Sequence, residues 1–179
     1  PLIETKNLKK YFHTKHGSLH AVDDVSIKIE TGKTLGVVGE SGCGKSTLGR
    51  TVLRLLEPTD GDVLFEGESI LGYGKAKMKE MRKQMQIIFQ DPFTSLNPRM
   101  TVSDIVAEPR KGGKTVATKA GREARVDELR RTVGSAERLI NTYPHELDGG
   151  RRQRIGIARA LAVGPKFIVC DEPVSALDV

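Results

Sequence analysis

The period of the apolar residues changes several times along the chain, and each change predicts an element. Leu2–Leu8 and Ala21–Ile29 carry alternating or mixed apolar residues and read as strands. Residues 34–38, Thr-Leu-Gly-Val-Val, form a short apolar run bounded by glycines, the pattern of a buried strand. Leu48, Val52, Leu55 and Leu56 share one side of a helix predicted over 48–56. Pro58 and the Thr-Asp-Gly-Asp that follows mark its end and a turn. Two further strands are predicted over 62–66 and 86–89. Residues 151–163 predict a helix rich in Ile, Ala and Leu, broken by Gly164-Pro165. Lys166–Cys170 is apolar almost throughout, which marks a strand central to a parallel sheet. Alternation of this kind argues for an α/β fold with a mainly helical insertion near residues 98–147.

Composition narrows the class. The chain has 179 residues, of which 37% are hydrophobic, too many for a disordered segment. The apolar residues are also too dispersed for the ~20-residue run that a spanning helix needs. The start, PLIETKNLKKYF, has no apolar signal-peptide core. Two cysteines give no disulfide framework, so a reducing compartment is expected.

The formal charge of +6 is local. Between Arg110 and Arg138 nine Lys/Arg face four Asp/Glu, a net of +5. Val126, Leu129 and Val133 recur there at helical spacing, so the stretch reads as an amphipathic helix with a solvated charged face. It lacks the interleaved aromatics of a nucleic-acid surface, and no nucleic-acid partner is expected. A membrane-side protein or anionic lipid is the other reading of that face.

Two motifs carry chemistry. Gly39, Glu40, Ser41, Gly42, Cys43, Gly44, Lys45 and Ser46 fit G-x-x-x-x-G-K-[ST], between a predicted strand and a predicted helix. Glycines let the backbone wrap a polyphosphate, and the N–H groups of loop and helix start face its oxygens. Lys45 places a cation at the β/γ-phosphates, Ser46 offers a hydroxyl to Mg²⁺, and Thr47 reaches an inner phosphate. Cys43 occupies a variable position. The second motif is the apolar strand that ends in Asp171-Glu172. A carboxylate there suits Mg²⁺, and Glu172 can orient or deprotonate an attacking water. His13, His16 and His20 have no cysteine or paired carboxylate to complete a tetrahedral metal set, and are predicted in a loop between two strands. Cys170 is predicted as a core residue.

The segment Leu147-Asp148-Gly149-Gly150-Arg151-Arg152-Gln153-Arg154, followed by IGIARAL, resembles the signature of ABC transporter ATPases, usually LSGGQ. With the two motifs above, the resemblance covers essentially the whole chain. SGCGKSTLGR, FQDPFTSLNPRMTV, YPHEL and IVCDEPVSALDV are similar to the ATP-binding subunits of oligopeptide and dipeptide importers. Relatives of that group also serve nickel and glutathione uptake.

The resemblance implies a P-loop NTPase core with a mainly parallel sheet, an N-terminal antiparallel β subdomain and an α-helical subdomain. Residues 1–97 and 151–179 would form the core and 98–150 the helical part. It implies ATP and Mg²⁺ as ligands, with Lys45, Gln90 and Glu172 catalytic and Ser46, Gln90 and Asp171 at the metal. Tyr11 would stack on adenine, the P-loop and Thr47 would hold the phosphates, and residues 175–178 would form the D-loop. A second ATPase subunit, identical or paralogous, would bind head to tail. Asp148, Gly149 and Gly150 would then meet the nucleotide held by the other subunit. Permease subunits would be the membrane partners and an extracytoplasmic solute-binding protein an indirect one. The location implied is peripheral, on the cytoplasmic face of the cell membrane.

Two departures modify that expectation. Asp148 stands where the family has serine, and Arg151 where it has glutamine. Asp caps a helix as well as Ser, but its charge opposes a phosphate. Two unit charges about 4 Å apart repel by roughly 4 kcal/mol at an effective dielectric of about 20. The family also has a further strand and a switch histidine beyond the position of Val179, so the chain reads as C-terminally truncated. The alternatives are a catalytically weak or inactive nucleotide-binding fragment, or a soluble ABC-type ATPase acting on nucleic acid.

Overall fold

The computed structural model describes residues 1–89, 96–97, 99–107, 119–134 and 141–172. The chain divides into two units, Pro1–Arg82 and Lys83–Val179.

In the first unit β1 (Ile3–Thr14) and β2 (Gly17–Val25) form an antiparallel hairpin closed by Lys15 and His16. The Thr14 hydroxyl donates to the Gly17 carbonyl at 2.8 Å across this turn. β1 also pairs with β3 (Lys28–Ile29) and β4 (Asp60–Phe65), and β4 with β5 (Glu68–Ser69), all antiparallel. β1 runs six residues past the predicted end at Leu8, through a polar, bulged stretch that hairpin pairing holds extended. His13 and His20 therefore lie in strands rather than in a loop, and His16 alone of the three sits in the turn. Ile3, Leu8 and Val63 are fully buried. The equally buried Thr5 hydroxyl is satisfied, donating to Val25 O at 2.8 Å and accepting from Ile27 N–H at 3.0 Å.

Helix α1 (Lys45–Val52) packs on β1 and β2. It starts before and stops short of the predicted span. Arg54 adopts a left-handed conformation with φ 52°. Leu55 N–H then donates back to Arg50 O at 2.8 Å, and Arg54 N–H to Thr51 O at 2.9 Å. This is a Schellman stop, a position that usually takes glycine. The Arg54 side chain holds an arginine there: Nη1 donates to Ile70 O at 3.0 Å and Tyr73 O at 2.7 Å, and Nε pairs with Glu57 at 2.9 Å. Pro58 lies beyond the actual end.

Residues 34–38 depart from expectation. No described strand pairs with them, and Leu35, Val37 and Val38 are exposed, Val38 at 94%. An apolar run becomes a buried strand only where neighbouring strands flank it, and the described residues supply none. Helix α2 (Lys75–Gln84) closes the unit and buries Met78 and Met81.

In the second unit β6 (Met85–Ile88) and β7 (Phe167–Cys170) pair in parallel, from Met85↔Phe167 to Ile88↔Cys170. β7 is only half-buried and Cys170 is exposed, which corrects its placement in the core. Among the described residues β7 has β6 as its one strand partner. Helices α3 (Val102–Ala107), α4 (Lys119–Thr132) and α5 (Gly149–Leu161) enclose a core of Val102, Ile105, Val106, Val126, Leu129 and Ile155. Val126 and Leu129 face that core and Val133 packs at its edge, as their spacing predicts. On the outer face Asp127 pairs with Arg130 and Arg131, and Arg125 with Glu128. No described helix is long and apolar enough to cross a membrane.

Arg54→Ala removes the donor of two carbonyl bonds while leaving a strained backbone. It is expected to cost about 1–3 kcal/mol of stability, read as a lower denaturant midpoint with an unchanged slope.

Candidate functional site

The loop of residues 39–44 is exposed up to Cys43 and ends on α1. Gly42 has φ 80° and Gly44 φ 101°, both left-handed. At Gly44 conformation is the lesser constraint. A Cβ there would lie 2.1 Å from the carbonyl oxygen of Ala21 and 3.2 Å from its carbonyl carbon. Both neighbours are backbone of β2, so nothing larger than glycine fits. Gly44 is also the N-cap of α1, and it offers no capping side chain. The first-turn N–H groups are thus presented to whatever anion the loop holds.

Lys45 opens the helix and folds back on the loop. Its ammonium donates to Gly39 O at 2.8 Å and Glu40 O at 2.7 Å, and lies 3.9 Å from the Cys43 sulfur. One cation therefore ties the start of the loop to the first residue of the helix. Ser46 and Thr47 follow on the first turn, both half-buried. Thr47 O accepts the Thr51 hydroxyl at 2.7 Å.

Tyr11 lies on β1 directly across from His20 on β2. The two rings stack with centroids 3.7 Å apart and planes 9° from parallel. The Tyr11 hydroxyl donates to Asp23 Oδ1, and His20 Nδ1 lies 3.6 Å from Asp23 Oδ2. The hydrogen bond to Asp23, then burial, then the carboxylate charges of Asp23, Asp60 and Asp24 push the Tyr11 phenol up to about 12. The same bond, with His20 and Lys9 behind it, holds the Asp23 carboxyl below its usual range. Tyr11 thus keeps its proton, and Asp23 its charge, across the neutral range. Motif reading marked Tyr11 alone. His20 and Asp23 were missed, although the cross-strand register of a hairpin closed at Gly17 would have paired Tyr11 with His20.

In the second unit Asp148 is the N-cap of α5. Its Oδ1 accepts the Arg151 N–H at 2.8 Å and its Oδ2 lies 3.2 Å from Arg151 Nε. The cap predicted for Asp148 is present. Its charge is paired with Arg151, which stands in the place of the usual glutamine one turn along the helix. Gly149 and Gly150 are the first two residues of α5. Arg152 is engaged elsewhere, its Nε donating to Pro144 O at 2.6 Å.

Asp171 is buried at 7% exposure, and its N–H extends the β6–β7 ladder by donating to Ile88 O at 2.9 Å. Glu172 is exposed and has φ 47°, left-handed like Asn7, Asp24, Arg54 and Glu66. Gln153 in α5 is buried at 2% exposure, and its amide nitrogen has no partner among the described residues. Gln90 and the segment 175–178 lie outside the described residues. The uncapped N–H groups at the start of α1, with the Lys45 ammonium beside them, fit a bound phosphate. The hydroxyl of Ser46 and the carboxylate of Asp171 are hard oxygen donors of the kind Mg²⁺ takes.

Residues 22–175 match the family model described as ABC transporter. The chain is 58% identical over 179 residues to the oligopeptide transport ATP-binding protein OppF of Bacillus subtilis, covering 99% of this chain and 59% of that protein. It is 52% identical over 181 residues to the dipeptide transport ATP-binding protein DppF of Lactococcus lactis, covering 99% and 58%. The chain thus spans rather less than two thirds of the length of these relatives. Among solved structures it resembles a dimeric ATP-binding cassette in a post-hydrolysis state bound to ADP and phosphate. The TM-score is 0.91 at 29% identity, over 98% of this chain and 76% of that one.

Gly44→Ala should weaken binding of a magnesium nucleotide by roughly tenfold to hundredfold, the strain of a left-handed backbone forced against Ala21. Gly36→Ala, where a Cβ meets nothing within 4 Å, should leave it unchanged. Equilibrium titration of both variants checks the pair.

Proposed function

The chain belongs to the ABC transporter family, and on that basis we propose that it binds and hydrolyses ATP as a subunit of an importer for peptides or a related small solute. The observation that carries this reading is the loop itself. A glycine-locked turn, a lysine folded onto it and a helix N-terminus without a side-chain cap together form a polyphosphate cradle. The similarity to OppF and DppF, oligopeptide and dipeptide transport proteins, supports the peptide class.

The roles divide by chemistry. Lys45 and the N–H groups from residue 39 to Thr47 take the phosphates, and Tyr11 takes the base. Ser46, Asp171 and Gln90 are assigned to Mg²⁺, which when bound neutralises phosphate charge. Glu172 accepts the proton of the attacking water as the bond between the γ-phosphorus and its bridging oxygen breaks, leaving ADP and phosphate. Asp148, Gly149 and Gly150 serve the nucleotide of a second, head-to-tail ATPase subunit; that the ATP-binding cassette neighbour is dimeric supports a pair of subunits. Permease subunits and, through them, an extracytoplasmic solute-binding protein complete the assembly on the cytoplasmic face of the membrane. The division into a core of 1–97 with 151–179 and a helical part of 98–150 belongs to the same proposal.

The Asp148–Arg151 pair weighs against an inactive fragment, since the carboxylate is already matched by a cation.

Glu172→Gln is expected to retain ATP binding and lower steady-state hydrolysis by about 10²–10⁴-fold, the usual contribution of a general base. Loss of binding together with turnover would remove Glu172 from that role. Asp148→Ser should change turnover by no more than about fivefold, the worth of an exposed ion pair of at most about 1 kcal/mol. Both are read by phosphate release in the intact protein with its partner subunit.

A further inference from the structure

We propose that His20 and Asp23 act as positioning residues, making Tyr11 a one-sided platform on which the base of the bound nucleotide stacks. This deepens the nucleotide-binding reading and rests on it. His20 covers one face of the Tyr11 ring at 3.7 Å and 9°. A purine therefore has only the opposite face to use. Asp23 fixes both rings, accepting from the Tyr11 hydroxyl and lying 3.6 Å from His20 Nδ1. The backbone is held as well, with Tyr11 N–H donating to Thr59 Oγ1 at 2.9 Å.

The position of this cluster is independent of any motif. Ala21, the residue after His20, is the one whose carbonyl oxygen lies 2.1 Å from where a Gly44 Cβ would be. The stacked pair is thus one residue along β2 from the point where the phosphate loop touches that strand. A ligand with phosphates at one end and a flat ring at the other spans such a pair of features. Ring and phosphate sites share one unit, and they meet at a backbone contact that tolerates no side chain.

The pre-set stack has an energetic consequence. A free tyrosine loses rotamer freedom when a base orders it. Tyr11 has already lost that freedom to His20 and Asp23, so more of the stacking energy appears as affinity. The motifs give no sign of this, because His20 reads from sequence as a loop residue between two strands.

The test compares two ligands on the intact protein: magnesium ATP, and magnesium tripolyphosphate, which lacks base and sugar. His20→Ala and Asp23→Ala should each weaken ATP by about tenfold, the lower range of a base–aromatic stack, and leave tripolyphosphate unchanged. His20→Phe, which keeps a flat ring on Tyr11, should retain ATP affinity. Tighter ATP binding by His20→Ala would mean that His20 occupies the base's own place, and would overturn the proposal. Equal weakening of both ligands would assign the cluster a merely structural role and also overturn it, as would no change in either. Failure of the unmodified protein to bind either ligand would instead overturn the nucleotide-binding reading beneath it.

Discussion

A carbonyl oxygen on β2 sets the geometry of the phosphate loop. Ala21 O approaches residue 44 so closely that a Cβ would overlap it at 2.1 Å. The glycine this demands takes a left-handed turn and becomes the N-cap of α1. With no capping side chain, the start of the helix is presented to a ligand. Lys45 then follows in the position from which its ammonium reaches back to Gly39 and Glu40. The hairpin that carries Ala21 also carries His20, Asp23 and Tyr11. Base platform and phosphate loop are therefore positioned by one element, and a change in hairpin register would displace both.

The site was legible in the sequence where chemistry needs a fixed spacing. Residues 39–46 and the pair Asp171-Glu172 stand out because backbone wrapping and metal ligation constrain neighbouring residues. The helical face of Val126 and Leu129 was legible for the same reason, since burial repeats with the turn. What pattern missed depends on partners distant in sequence. Residues 34–38 look like a buried strand, yet strand burial is a property of neighbours, and no described strand flanks them. Helix α1 ends on a left-handed arginine because the carbonyls of Ile70 and Tyr73 hold its side chain. His20 gains its meaning only from the ring across the strand.

Asp148 shows why a departure from a motif must be read together with its neighbours. Taken alone, a carboxylate in place of serine adds a charge where phosphate is expected. One turn along α5, Arg151 replaces the usual glutamine and pairs with that carboxylate, while the backbone cap is kept. Substitution and compensation lie three residues apart, the spacing at which helical side chains meet. The helix start retains its cap, and the carboxylate has a cation beside it.

The glycine-locked loop on the hairpin unit is the proposed seat of ATP. Backbone amide resonances of the isotopically labelled protein, followed during titration with magnesium ATP, test it most directly. The largest shifts are expected at residues 39–47, accompanied by Tyr11 and His20. Saturable ATP binding that leaves the amides of 39–47 unmoved would contradict it.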